Sequence, residues 1–203
     1  MAITLAPGSV RPRLEGRFGS PLYLYAERCS STQDLLPLGA PEGALALAEE
    51  QTHGRGRRGR DWQGTAAKSL LFSLCLHPAV ETAQLASLTP VAAEAIAEAI
   101  VSFGGEAAVK HPNDVLLSGR KVAGILAEAS DGRVALGVGV NVEQKASDLP
   151  ARPVFPATSL ALELGRPIDR VELLVCILVQ LERHYEHWLT ETAAWPAHSP
   201  PKG

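Results

Sequence analysis

Lys121–Asn141 reads KVAGILAEASDGRVALGVGVN and contains two apolar runs separated by Asp131-Gly132. A two-residue hairpin of the tight, strongly twisted kind needs positive φ at both central positions, and Asp-Gly tolerates that better than most dipeptides. The pair therefore predicts a turn between two antiparallel strands. In the second run Val134, Leu136, Val138 and Val140 alternate with Ala135, Gly137, Gly139 and Asn141, which is the period-two pattern of a strand. The valine–leucine face belongs to a core. The other face is nearly bare of side chains, which suits either a closely packed helix or the floor of a cavity that ends in an amide.

Working outward, Ser118-Gly119 is a second hairpin signal, joining Val115–Leu117 to Lys121–Ala129, and Ala107–Lys110 forms another strand-like piece before them. Earlier strands are expected at Leu22–Tyr25, Ala44–Glu49 and Ser69–Leu76. In the last of these Leu70, Phe72, Leu74 and Leu76 share one face, the mark of a half-buried strand, ended by Pro78. Helical spacing covers Leu85–Phe103, closed by Gly104-Gly105. A short helix starts near Asp34, capped by Ser31 or Thr32, and stops before Pro37. Two further helices are expected over Thr158–Leu164 and from Asp169 to about Leu189. Strands joined by hairpins, with helices inserted between groups, imply an α+β fold built on a mixed, mainly antiparallel sheet. The regular strand–helix alternation of a doubly wound sheet is missing.

The chain has 203 residues, enough for one core with at most a small appendage. A formal net charge of −3 argues against a general nucleic-acid binder, which carries a basic excess. Cys29, Cys75 and Cys176 are scattered and odd in number, so neither a zinc site nor a disulfide framework is indicated, and reduced thiols in a cytoplasmic protein are expected. The apolar run Leu173–Leu181 falls well short of the ~20 residues that cross a bilayer, so no membrane partner is expected. Residues 1–20, rich in Gly, Pro and Arg, read as a flexible arm, and residues 191–203 as a frayed tail.

Against that acidic background stands Gly54-Arg55-Gly56-Arg57-Arg58-Gly59-Arg60-Asp61-Trp62. Glycines let a backbone approach a ligand and leave amides free to donate. The interleaved arginines supply forked, permanently charged donors for phosphate or carboxylate. A solvated patch or a flexible RNA-binding arm is the alternative. It is disfavoured because the run is short and lies between two strands, whereas low-complexity arms lie outside a core. The loop is neither a Walker P-loop nor a dinucleotide fingerprint, since Gly-Lys-Ser/Thr is absent and no Gly-x-Gly-x-x-Gly opens a helix. With four glycines and mutually repelling arginines between Thr52 and Gly64, the segment is expected to be mobile until an anion orders it.

Lys110-His111-Pro112-Asn113-Asp114 places a cation, a rigid turn and two polar acceptors at a strand end, and Lys121 opens a strand in which Gly124 allows close approach. Either lysine alone reads as a surface residue; their placement around apolar strands argues for a site. Asn141 could read an adenine edge, having both a donor and an acceptor, and a packing role fits this strand equally well.

Taken in order, Ser31-Thr32-Gln33-Asp34, Gln51, GRGRRGRDW, KHPNDV, GRKVAGILAE and GVGVNV resemble the motif series of the biotin–protein ligases, from about Leu22 to Trp188. The resemblance implies a central sheet with helices on one side, forming one catalytic domain over residues 21–190. It also implies a two-step reaction in which biotin and ATP give biotinyl-5'-adenylate, and a lysine of a biotin carboxyl carrier protein then takes the biotinyl group. By the same resemblance Arg55, Arg57 and the amides around Gly54 and Gly56 grip carboxylate and phosphate. Lys121, beside Gly124, neutralises developing charge, and Lys110 is a second candidate cation. Ser31, Thr32, Gln33 and Gln51 line the biotin pocket, and Asn141 matches an adenine contact. Asp114 is assigned either to Mg2+ or to positioning the incoming amine. Two positions depart from the family pattern: Gln33 stands where Asn is common, and His111 where Trp is common, which removes a large apolar wall. A winged-helix DNA-binding domain is not expected before Ser31, so no DNA partner is expected. The family's small C-terminal β-domain is expected to be absent or vestigial, and a homodimer is left open. The rival readings are a lipoate–protein ligase or lipoyl transferase, an RNA-binding module, and a biotin sensor without turnover.

Overall fold

The computed structural model describes residues 4–150 and 155–194. Its centre is a seven-stranded sheet: β1 (Tyr23–Cys29), β2 (Leu45–Gln51), β3 (Ser69–Leu76), β4 (Ala107–Lys110), β5 (Asp114–Leu117), β6 (Arg120–Ser130) and β7 (Arg133–Asn141). The spatial order is β1-β2-β3-β7-β6-β5-β4. Only the β1–β2 pair is parallel; every other neighbour is antiparallel. The mixed, mainly antiparallel α+β sheet expected from the hairpins is the one observed. Both hairpin turns form with the signature their dipeptides impose: φ is +51° at Ser118 and +75° at Gly119, and +52° at Asp131 and +74° at Gly132.

The helices are α1 (Pro7–Val10), α2 (Thr32–Leu35), α3 (Leu88–Ser102), α4 (Leu160–Leu164) and α5 (Arg170–Ala194). The long pair, α3 and α5, lies on one face of the sheet with Leu70, Phe72, Leu74, Leu136 and Val138 beneath it. The short α2 lies on the opposite face, over a smaller apolar group that includes Ala46, Cys75 and Ala135. Helix–sheet packing is therefore one-sided for the long helices, and the other face is left to α2 and loops. That is the face on which the site forms. Thr82–Ser102 is long and apolar enough to cross a membrane by length and composition alone, yet its alanine–isoleucine face is buried against the sheet and α5.

Three expectations are corrected. β3 is buried at all eight positions rather than half-buried, because α2 and the loop around Gly64 cover the face that α3 and α5 do not. The N-terminal segment is not a loose arm over residues 4–20: Leu5, Val10 and Phe18 are at most 1% exposed. Its composition is that of a loop, but apolar side chains recur often enough to be drawn into the core. The last helix runs five residues beyond the expected Leu189, to Ala194, so the expected tail begins within α5 and its remainder, 195–203, lies outside the described residues.

At its start the N-terminal segment is tied to a buried ion pair. Glu49 Oε2 accepts from Arg170 Nη1 at 2.6 Å, its Oε1 accepts from Leu5 N–H at 3.0 Å, and Arg170 also donates to the Ser69 carbonyl at 3.0 Å. With the two side chains 12% and 6% exposed, removal of one charge strands the other, which typically costs ~3–5 kcal/mol. Glu49→Ala is expected to lower unfolding free energy by about 3 kcal/mol in urea titration, and to free residues 4–20 for proteolysis. An unchanged urea midpoint would show that the pair holds nothing together.

Candidate functional site

The bare face of β7 proves to be a floor. A side chain at Gly139 would stand 2.3 Å from the Trp62 indole, one at Gly124 2.8 Å from the same ring, and one at Gly137 3.2 Å from the Gln33 amide carbon. Three glycines on two paired strands thus make a trough in which Trp62 lies directly on backbone. Both readings open for this face have a part: Gly137 is packed against Gln33 of α2, and Gly124, Gly137 and Gly139 line the cleft. Above the floor this cleft is open to solvent, lined at one end by Ser31, Thr32, Gln33, Gln51 and Ser73, with Arg55 beside Gln33, and at the other by Arg57, Asn113 and Lys121.

The polar end is built by the first turn of α2, whose extended N-terminal residue Ser31 lets the chain drop onto the sheet. Thr32 donates to Gln51 Oε1 through both N–H (2.7 Å) and Oγ1 (3.0 Å), and its hydroxyl meets Ser73 Oγ at 2.7 Å. Gln33 Nε2 donates to the Ala135 carbonyl at 3.1 Å, and its Oε1 accepts from Arg55 Nε at 3.3 Å. The glutamine found where asparagine was the expected residue thus has the reach to link floor and loop. Ser73 escaped the sequence reading; the signal was a polar residue on the second face of an apolar strand, between Leu71 and Cys75.

The arginine–glycine loop is a hairpin folded on itself. Trp62 N–H donates to the Gly54 carbonyl at 2.8 Å and Gly56 N–H to the Arg60 carbonyl at 2.7 Å, with Arg55 and Asp61 bridged between them. Gly56 therefore does not keep its amide free, as its position suggested. It and Gly54 are glycine for space, since side chains there would stand 3.0 Å and 2.5 Å from the carbonyl oxygens of Arg60 and Trp62. Arg58, at φ +60°, makes the turn. These bonds and the seat of Trp62 on the floor define the loop's folded conformation.

The cations are distributed unevenly. Arg57 Nη1 donates to Asn113 Oδ1 at 2.8 Å at the pocket mouth. Lys121 Nζ lies 2.7 Å from Asp114 Oδ1 and 5.3 Å from the centre of the Trp62 ring. Its backbone is strapped to Pro156 and Thr158 by bonds of 2.7 and 2.9 Å. Arg55 lines the cleft beside Gln33 but pairs with Asp34 at 2.7 Å and Glu128 at 3.1 Å. Partial burial raises the Asp34 carboxyl, but hydrogen bonds from Arg55 and Ser30 outweigh it and hold the group below the usual carboxylate range.

Four expected site residues lie outside the pocket lining, Gly54 at the loop stem among them. Lys110 is exposed, with its ammonium 3.5 Å above the Phe155 ring. Asn141 is 5% exposed, its amide donating to the Thr158 carbonyl at 2.9 Å and accepting from Gln144 at 3.2 Å; of the two roles open for it, the geometry supplies packing. Asp114 touches the pocket only through Lys121. Among the described residues no group of three or more His, Cys, Asp or Glu side chains is placed to hold a metal ion.

A model of the Biotin/lipoate A/B protein ligase family matches residues 25–144. The chain is 37% identical over 177 residues to the bifunctional ligase/repressor BirA of Bacillus subtilis, an alignment covering 82% of this chain and 54% of that protein. It is 36% identical over 177 residues to the biotin--[acetyl-CoA-carboxylase] ligase of Mycobacterium tuberculosis, covering 82% of this chain and 65% of that one. The biotin protein ligase of Aquifex aeolicus, solved in complex with biotin and ATP, superposes with a TM-score of 0.77 at 29% identity, over 84% of this chain and 73% of that chain. The chain spans about half the length of the BirA relatives it matches. With the motif series, the sheet and the family match in agreement over the same residues, the chain belongs to the Biotin/lipoate A/B protein ligase family.

Proposed function

We propose that this protein activates biotin with ATP to biotinyl-5'-adenylate and transfers the biotinyl group to a lysine of a biotin carboxyl carrier protein. The observation that carries this reading is the polarity of one cleft. Hydroxyl and amide groups suited to a neutral ureido ring stand at one end, cations suited to carboxylate and phosphate at the other, and an indole on a glycine floor runs between. The relatives named as biotin ligases, and the neighbour solved with biotin and ATP, support the same substrates.

In the first step a biotin carboxylate oxygen bonds to the α-phosphorus of ATP, the bond from that phosphorus to the bridging oxygen breaks, and pyrophosphate leaves. Both reactants are anions, so the barrier falls when fixed positive charge faces the phosphate. Arg57 supplies a guanidinium whose hydrogen-bond partner, Asn113, is neutral. Lys121 is held by its backbone strap and by Asp114, which orients the ammonium while offsetting part of its charge. In the second step an acceptor amine attacks the acyl carbon, the acyl–oxygen bond breaks, AMP departs and the amine loses a proton. In this reading Asp114, which reaches the cleft through Lys121, orients that amine. Magnesium is held in nucleotide sites by one or two carboxylates together with the phosphates, so Asp114 would suffice as its protein ligand, and the ion would add positive charge at the phosphates. The three cysteines, all free thiols, agree with a reducing cytoplasmic setting.

Incubation with biotin, labelled ATP and a biotin carboxyl carrier domain is expected to raise the acceptor mass by one biotinyl group; transfer of lipoate instead would replace this reading with the lipoate-ligase one. Arg57→Ala is expected to cut adenylate formation ~10²-fold or more with the fold intact by circular dichroism. Wild-type adenylation by that variant would remove the loop from the chemistry. Lys121→Ala is expected to slow single-turnover adenylation far more than it weakens biotin binding, because charge on the phosphate grows during attack. Loss confined to affinity would reduce Lys121 to a binding group.

A further inference from the structure

The first two arginines of the loop are electrostatically unlike. Arg55 bonds to the protein through all three guanidinium nitrogens: Nη1 to Asp34 Oδ1 at 2.7 Å, Nη2 to Glu128 Oε2 at 3.1 Å, and Nε to Gln33 Oε1 at 3.3 Å. Two carboxylates on one guanidinium leave that group net negative, so an incoming anion gains little from it. Arg57, bonded to the neutral Asn113 amide, keeps its charge available.

The anchors of Arg55 also span the fold. Asp34 and Gln33 belong to α2, and Glu128 to β6. Asp34 is itself steadied by Ser30 Oγ at 2.8 Å. Arg55 stands at the stem of the loop, opposite Asp61. The bonds of the stem, Gly56 to Arg60 and Trp62 to Gly54, stay within the loop. What fastens the stem to the body through charge is therefore Arg55. Single exposed ion pairs contribute little, but a planar fork engaging several acceptors at once is the geometry in which they count.

We propose that Arg55, Asp34 and Glu128 form a clasp that sets the loop over the cleft, so that Arg55 is a positioning residue and the anion is gripped by Arg57 and Lys121. For turnover the proposal rests on the biotin-activation reading; the clasp itself is tested without ligand. Amide hydrogen exchange of Gly56 and Trp62 in the free protein is the direct measure. Arg55→Ala, and separately the near-isosteric double variant Asp34→Asn/Glu128→Gln, are expected to speed that exchange about fivefold, as loss of an exposed ion-pair network implies. Arg57→Ala is expected to leave it unchanged. With biotin and ATP, the double variant is expected to raise KM for biotin about fivefold with kcat within about twofold, whereas Arg57→Ala lowers kcat. If Arg55 instead gripped the anion, freeing it from two carboxylates would lower KM and leave exchange as it was. Unchanged exchange in both clasp variants, or a lowered KM in the double variant, overturns the proposal. Faster exchange in a protein that never turns over biotin would uphold the clasp and defeat the biotin reading.

Discussion

Where a sheet presents glycine instead of side chains, its backbone becomes the surface, and whatever settles there is held by van der Waals contact at the shortest distances proteins allow. Gly124, Gly137 and Gly139 create such a strip on β6 and β7, and Trp62 and Gln33 occupy it. The rest of the site depends on that seating. Trp62 fixes one end of the arginine loop through its bond to Gly54, and Gln33 fixes α2 to the sheet through the Ala135 carbonyl. A single methyl at Gly139 would stand 2.3 Å from the indole, so loop and strand must move together or not at all. Close packing of this kind transmits displacement rather than absorbing it.

The opposite face of the same strands explains why the floor can be so bare. Val138 and Leu136 point into the large core under α3 and α5, and that core supplies the burial that keeps β7 in place. A strand anchored on one face can leave the other bare enough to seat Trp62 and Gln33. The strand pairing is strong where it has to be: β7 pairs along nearly its whole length with β3 on one side and β6 on the other, so glycine's poor strand propensity is offset by two complete ladders.

Charge is arranged with the same economy. The loop brings Arg55, Arg57, Arg58 and Arg60 close together in a chain whose net charge is −3. Repulsion among them is relieved by giving one arginine two carboxylates and leaving another with a neutral partner. Lys121 is paired to Asp114, so orientation and charge are traded against each other at that position. Lys110 resembled it in sequence, but it sits on the aromatic face of Phe155, because the strand that carries it ends at the sheet's edge and its side chain leaves the cleft.

Local sequence determined the strands flanking both hairpins, the closing glycines of α3, the α+β class, and the residue types of the cleft, because each depends on dihedral preference or on alternation within a few residues. The tertiary structure alone decided the rest. Burial of both β3 faces, and of Leu5, Val10 and Phe18, depends on what covers them from elsewhere in the chain. The pairing of Arg55 was invisible because Asp34 and Glu128 lie 21 and 73 residues away in sequence. Asn141 could face a ligand or a neighbour, and its bond to Thr158 depends on a segment 17 residues away. Periodicity reports which face a side chain takes; it carries no information about which distant group meets that face, since that is set by how the sheet and its loops close in three dimensions.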